Sequence, residues 1–150
     1  MEGLANIPAW LFAAFFTGAL LSVWFGIAWR NTNKQIATTR ARRADPTQEQ
    51  FLSLMCADVS DEAARFLWRT VLPYLEHWSS ALAPHPDDNL HTDLPIDPDD
   101  IDVDWPRDWA ELNGFHESNL PDWPEGWPAT VRNYGRWLDM GPQPSSSPRT

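Results

Sequence analysis

Apolar residues run from Ile7 to Trp29 (IPAWLFAAFFTGALLSVWFGIAW) with no charge among them, and Arg30 closes the run. A helix rises about 1.5 Å per residue and the hydrocarbon core of a bilayer is roughly 30 Å thick, so about twenty apolar residues are enough to cross it. The pattern predicts a transmembrane helix over 7–29. A core helix of this length would carry polar residues on one face, but here only Thr17 and Ser22 interrupt the run, and both can hydrogen-bond back to their own helix. A cleaved secretory signal fits worse: the segment before the run holds Glu2 instead of basic residues, and the run exceeds the roughly 7–15 apolar residues of such signals. Trp10 at one end and Trp24 and Trp29 at the other suit the two aromatic belts of a membrane, and Pro8 falls in the first turn, where its missing N–H costs nothing.

After the run the period changes. Thr47-Gln48-Glu49-Gln50 has the spacing of a capping box. Apolar residues then recur at Phe51, Leu54, Met55, Val59, Ala63, Phe66, Leu67, Val71, Tyr74, Leu75 and Trp78, the three-and-four spacing of one helical stripe. Ser60-Asp61-Glu62 either starts a second helix or lies in a break, and Pro73 is expected to kink or end the pattern. From Ala83 to Asp104 (APHPDDNLHTDLPIDPDDIDVD) no period survives, which predicts a long loop.

Two related blocks follow, Asp104-Trp105-Pro106-Arg107-Asp108-Trp109 and Asp122-Trp123-Pro124-Glu125-Gly126-Trp127. In each, Asp is placed to cap a helix with Pro in its first turn, and the two tryptophans would share a face. Asn113-Gly114 is a suitable left-handed stop for the first of these helices. Pro128–Met140 reads as a final helix with Val131, Tyr134, Trp137 and Leu138 inward, and the Pro- and Ser-rich tail after it is expected to be disordered.

The predicted fold is mainly α. It comprises an N-terminal tail (1–6), a transmembrane helix (7–29), a basic juxtamembrane linker (30–46), a small acidic helical domain with a long Pro/Asp-rich loop (47–141) and a tail (142–150).

Charge sharpens this division. Arg30, Lys34, Arg40, Arg42 and Arg43 follow the apolar run with no acid among them, whereas after Arg43 six arginines face twenty acids. Cations flanking a span stay on the cytoplasmic side, which predicts a single-pass protein of the inner membrane with its N-terminus outside and its acidic domain in the cytoplasm. The same cations can contact anionic headgroups of the lipid bilayer. So acidic a domain excludes nucleic-acid phosphate as a partner and points to a protein. One lysine against ten arginines suggests a GC-rich bacterial genome. The single Cys56 allows no disulfide within the chain and, lying on the apolar stripe, reads as a small core residue.

Candidate chemistry is sparse. Asp100, Asp102, Asp104 and Glu111 stand at positions 1, 3, 5 and 12 of an EF-hand-like count, which would make a metal site, although Trp105 and Pro106 occupy positions where such a loop turns on Gly. His77, His85, His91 and His116 have no zinc-ligand spacing. Trp105, Trp109, Trp123 and Trp127 are read as core in preference to ligand platforms, because a domain of this size with few Leu and Ile needs large side chains to fill its interior. No nucleophile–base pair or phosphate loop can be named, so neither catalysis nor a cofactor is expected.

The run Leu90-His91-Thr92-Asp93-Leu94-Pro95-Ile96-Asp97-Pro98-Asp99-Asp100-Ile101, followed by a short helix and Asn113-Gly114-Phe115-His116, resembles a small bacterial acyl-carrier-like family of unknown function, over residues 66–123. The resemblance implies an acyl-carrier-like helical bundle. It also implies that the prosthetic group is absent, since Asp99-Asp100-Ile101 stands where an acyl carrier has a serine after Asp. The function expected is a membrane-anchored, non-catalytic protein-interaction module. The alternative is a domain that responds to divalent cations through its Asp-rich loop.

Overall fold

A computed structural model describes residues 9–76 and 82–142, with the side chains of 9–12 excepted. Expectations for Pro8, the Trp10 side chain, His77, Trp78 and the 143–150 tail lie outside the described residues. The described chain is mainly α, and among the described residues there is no strand, only an isolated antiparallel bridge between Asn89 and Thr130. Five α-helices follow in order: α1 (Ala9–Arg42), α2 (Gln48–Met55), α3 (Asp61–Glu76), α4 (Trp105–Leu112) and α5 (Val131–Leu138). The chain divides into two compact units, Met1–Lys34 and Gln35–Thr150.

Among its described residues the first unit is apolar on every side up to Trp29 and has no separate apolar stripe. Phe15 is 76% exposed, and Phe16, Leu20, Leu21, Val23, Trp24 and Phe25 are exposed as well. Ser22 donates to the Gly18 carbonyl at 2.8 Å, so this hydroxyl is satisfied within its own helix. The span expected from Ile7 begins outside the described residues, and among the described residues no helix is long and apolar enough to cross a membrane. Nor does α1 stop at Trp29, since it continues through the polar stretch Arg30–Arg42. Much of the segment expected as a juxtamembrane linker is thus helical, and from Gln35 onward it belongs to the second unit.

The second unit is built around the predicted stripe, broken into two helices at Ser60. The capping box forms as expected: Thr47 Oγ1 accepts from the Gln50 N–H, and the Gln50 side chain accepts from the Thr47 N–H at 2.9 Å. Ser60 Oγ accepts from the Ala63 N–H at 3.1 Å and donates to Asp139 at 2.6 Å, starting α3 while tying it to the end of α5. Phe51, Met55, Ala63, Leu67, Val71 and Leu75 are buried, whereas Leu54 is 44% exposed. Pro73 does not end the helix, and α3 continues to Glu76. Cys56 caps the end of α2 and is exposed, with its thiol directed at the Ser53 carbonyl, so the core placement expected for it is corrected.

Helix α5 packs against α3 at close range, and Gly135 makes this possible. A Cβ there would lie 2.8 Å from Val59 Cγ1 and 3.1 Å from Leu67 Cδ1. Helix α4 joins the same core through Trp105 and Trp109, both buried, and the Trp109 indole N–H donates to the Leu138 carbonyl at 3.1 Å. The core reading of these two tryptophans holds. Helix α4 ends as predicted, on Gly114 at φ 73°, with the Gly114 N–H bonded to Glu111 and the Phe115 N–H to Ala110.

The stretch expected as an unpatterned loop is ordered by side chains at its lower-numbered end. Leu90, Leu94 and Ile96 enter the core, as does Leu82 just before the stretch. Asn89 Oδ1 accepts from the His91 and Thr92 N–H groups, and the Asp93 carboxylate accepts from the Asn89 N–H. Its last five residues are not loop at all. Asp100–Asp104 form a π-helical turn that runs directly into α4, with the Trp105 N–H bonded to the Asp100 carbonyl.

One buried ion pair connects this loop to the polar end of α1. Asp88 is 4% exposed and receives Arg43 twice, Nε on Oδ1 at 2.9 Å and Nη2 on Oδ2 at 2.5 Å. The His85 N–H also donates to the Asp88 carboxylate, and the Asp88 carbonyl accepts from Val131, the first residue of α5. Burial alone would lower the Arg43 pKa, but hydrogen bonds and charge from Asp88, then Asp45, raise it, so the guanidinium is firmly charged. Next to it, Arg42 pairs with Asp93 at 2.7 Å and Thr39 donates to the Asp93 carbonyl. Removing Asp88 leaves the buried guanidinium with only the partly exposed Asp45, so Asp88→Ala should destabilise the domain by up to about 3–5 kcal/mol, while Asp88→Leu combined with Arg43→Met should recover much of that loss. Chemical denaturation of the full chain, followed by circular dichroism, measures both.

Candidate functional site

An aromatic groove lies where the end of α5, the loop before it and the π-helical turn meet. α5 presents Tyr134 and Trp137 one turn apart, since the Thr130 hydroxyl caps its start by accepting from the Asn133 N–H. The 120–130 loop adds Trp123. The three rings stand close, with centroids 5.7 Å apart for Trp123–Trp137, 6.1 Å for Trp123–Tyr134 and 5.3 Å for Tyr134–Trp137. A cavity of about 270 Å³ is lined by these rings with His91, Ile101 and Asp102. A second cleft of about 370 Å³ shares Asp102 and Trp137 with it and runs on past Val103, Pro106, Leu120 and Pro121 to Glu117.

The polar edges of the rings are already engaged. The Trp137 indole donates to the Pro121 carbonyl at 2.8 Å, the Trp123 indole to the Trp127 carbonyl at 3.2 Å, and the Tyr134 hydroxyl to the Ile101 carbonyl at 2.6 Å. The groove therefore has π-faces and aliphatic surface to offer, with carboxylates at its margin. Asp102 and Glu117 are exposed, and among the described residues no ion pair neutralises either. Trp127 carries a cation already, because the Arg136 guanidinium carbon sits 4.4 Å from its ring centre.

The expected capping roles of Asp104 and Asp122 are not realised. The helix enters through the π-helical turn, so Asp104 is itself helical, makes no capping bond and pairs with Arg107. After Asp122 the chain turns without forming a helix, the Trp127 N–H bonding to the Pro124 carbonyl. Trp123 and Trp127 meet edge to face at 6.4 Å through that turn and stay half-buried, unlike Trp105 and Trp109. Trp123 still packs against the core from its edge, and Trp127 lies half-buried beside it.

The proposed metal ligands are not brought together. Asp100, Asp102, Asp104 and Glu111 lie along the continuous π- and α-helical segment where an EF-hand would have a loop, and among the described residues no group of three or more acidic, His or Cys side chains is placed to hold a metal ion. Asp100 accepts instead from the Tyr74 hydroxyl at 3.0 Å. Of the flanking cations, Arg40 pairs with Asp45 at 3.5 Å, Arg42 with Asp93 and Arg43 with Asp88, whereas Arg30 and Lys34 lie in the first unit. Sequence reasoning did not single out Tyr134, Trp137, Asp102 and Val103 as neighbours, and only the inward placement of Tyr134 and Trp137 pointed that way.

No family model, no curated protein and no solved structure matches this chain.

Burial pushes the Tyr134 phenol up, and the Asp102 charge adds to the effect. A folded-state pKa above the unfolded value of about 10 means that its contribution to stability is complete below that pH and is lost as pH rises beyond it. The tyrosinate absorbance that disappears in Tyr134→Phe should accordingly arise only together with loss of helical circular dichroism. An early, non-cooperative titration of that absorbance would show that the phenol is not held in the groove floor.

Proposed function

We propose that the chain is a membrane-tethered, non-catalytic interaction module whose acidic helical domain receives a protein partner in the aromatic groove. The groove itself carries the reading. Trp123 and Trp137 line it half-buried beside the buried Tyr134, while the polar edges of all three rings bond within the chain, an arrangement suited to docking another surface. The resemblance of residues 66–123 to an acyl-carrier-like family without the phosphopantetheine serine fits a helical binding module of this kind. Site-specific photocrosslinking from Val103, which is 52% exposed at the groove margin, should yield discrete protein adducts in cells. Absence of adducts from Val103 and from Pro121 alike would overturn the module reading.

The tether is argued from the exposed apolar side chains between Phe15 and Ile27, together with the full run Ile7–Trp29 of the sequence. Such a surface has a large hydrophobic free energy to gain from lipid. The five cations that follow support a topology with residues 31–150 in the cytoplasm and the N-terminus outside, in an inner membrane. Replacing Leu20 and Leu21 together by Arg introduces two charges, each costing about 2.5–3.5 kcal/mol near the centre of an inserted helix. The double variant should be released by carbonate extraction while the native chain is retained. Equal retention would refute the tether.

A further inference from the structure

We infer that the groove takes an arginine side chain from a basic segment of the partner, with the guanidinium against the Trp123–Trp137 wall and paired with Asp102. The inference rests on the interaction-module reading and names what that module recognises.

The indole N–H groups of Trp123 and Trp137 and the Tyr134 hydroxyl all donate to backbone carbonyls of this chain. A ligand therefore meets few side-chain donors here. It meets the half-buried rings of Trp123 and Trp137, whose π-systems attract cations, and in Asp102 a carboxylate that no ion pair among the described residues satisfies. The neighbouring cleft, with Val103, Leu120 and Pro121, is apolar enough to line the three methylenes of an arginine stem.

The protein already makes this contact with itself once. Arg136 sets its guanidinium 4.4 Å from the Trp127 ring centre, and Trp127 stands edge to face with Trp123. The inferred contact repeats that arrangement on the next ring of the same cluster. Charge complementarity reinforces it at longer range, since six arginines face twenty acids after Arg43 and a basic segment is drawn toward the domain from any direction. Arginine is favoured over lysine because a planar, weakly hydrated guanidinium stacks on an indole and can bind a carboxylate in bidentate fashion.

The test uses the full chain in neutral detergent and three peptides, acetyl-Gly-Arg-Gly-Arg-Gly-amide and its lysine and citrulline analogues, with binding read by titration calorimetry and tryptophan fluorescence. Citrulline keeps the shape of arginine without the charge. The arginine peptide should bind saturably, and the citrulline peptide about tenfold more weakly, with lysine between them. Asp102→Asn should weaken the arginine peptide about fivefold. Trp137→Leu should abolish saturable binding, and Asp102→Asn, which changes an exposed side chain and leaves the core untouched, stays informative if Trp137→Leu fails to fold. Glu62→Gln removes an equal charge from α3, no residue of which lines the groove, and should change nothing. Equal binding of the arginine and citrulline peptides would overturn the inference, as would equal weakening by Glu62→Gln and Asp102→Asn. Crosslinks from Val103 that persist while the arginine peptide fails to bind would remove this inference and leave the module reading standing.

Discussion

The Arg43–Asp88 pair is the contact on which the arrangement of the second unit depends. Asp88 sits in a stretch with no helical or strand period, and in isolation nothing would hold its backbone. Buried and charged, it requires a full set of partners, and it finds them in Arg43 at the end of α1, the His85 N–H within its own turn and, through its carbonyl, the first residue of α5. Three separate parts of the chain are thereby brought to one point. Arg132 works beside it, donating to the Leu54 carbonyl at 2.7 Å and pairing with Asp58 and Asp87, which joins the end of α2 to the same junction. The acidic loop is ordered by its charges: several of its carboxylates accept arginine or backbone N–H groups.

The position of the groove follows from this packing. With α5 anchored at Val131 and pressed onto α2 and α3 at Gly135, Tyr134 and Trp137 come to rest beside the π-helical turn. That turn keeps Ile101 in the core and turns Asp102 and Val103 outward. A π-helical turn is uncommon and recurs where side chains must be re-aimed at a functional site. Here it converts an apparent run of alternating acids into one buried aliphatic residue and one carboxylate at the margin of an aromatic cavity.

The two tryptophan blocks show how similar sequences reach different ends. Both read Asp-Trp-Pro, two residues, Trp. In the first, a helix forms and places both rings inside. In the second, the chain turns at Pro124–Trp127, and the rings remain half-buried against α5. Helical propensity separates the blocks in part, since Gly126, at φ 78°, and Pro128 stand where the first block has Asp108 and Ala110. The first is entered from a helical turn and bound to the core by Ile101 and Trp105, while the second follows the exposed Pro121-Asp122 and is closed by the need to bring Thr130 to the start of α5.

The amino-acid pattern alone determined the apolar run before Arg30, the capping box at Thr47, the buried stripe of α2 and α3, the glycine stop at Gly114 and the buried Val131, Tyr134 and Leu138 of α5, while Trp137, also read as inward, stays half-buried at the groove. Each of these depends on neighbours a few residues away, through hydrogen bonds along one helix or the side on which successive side chains fall. Tertiary structure alone decided the partner of Asp88, the helical state of Asp100–Asp104, the exposure of Cys56 and the meeting of Trp123 with Trp137. Those outcomes depend on contacts between residues far apart in the chain: a charge must find its counter-charge and a ring its cavity, and neither spacing nor propensity records where the distant partner lies.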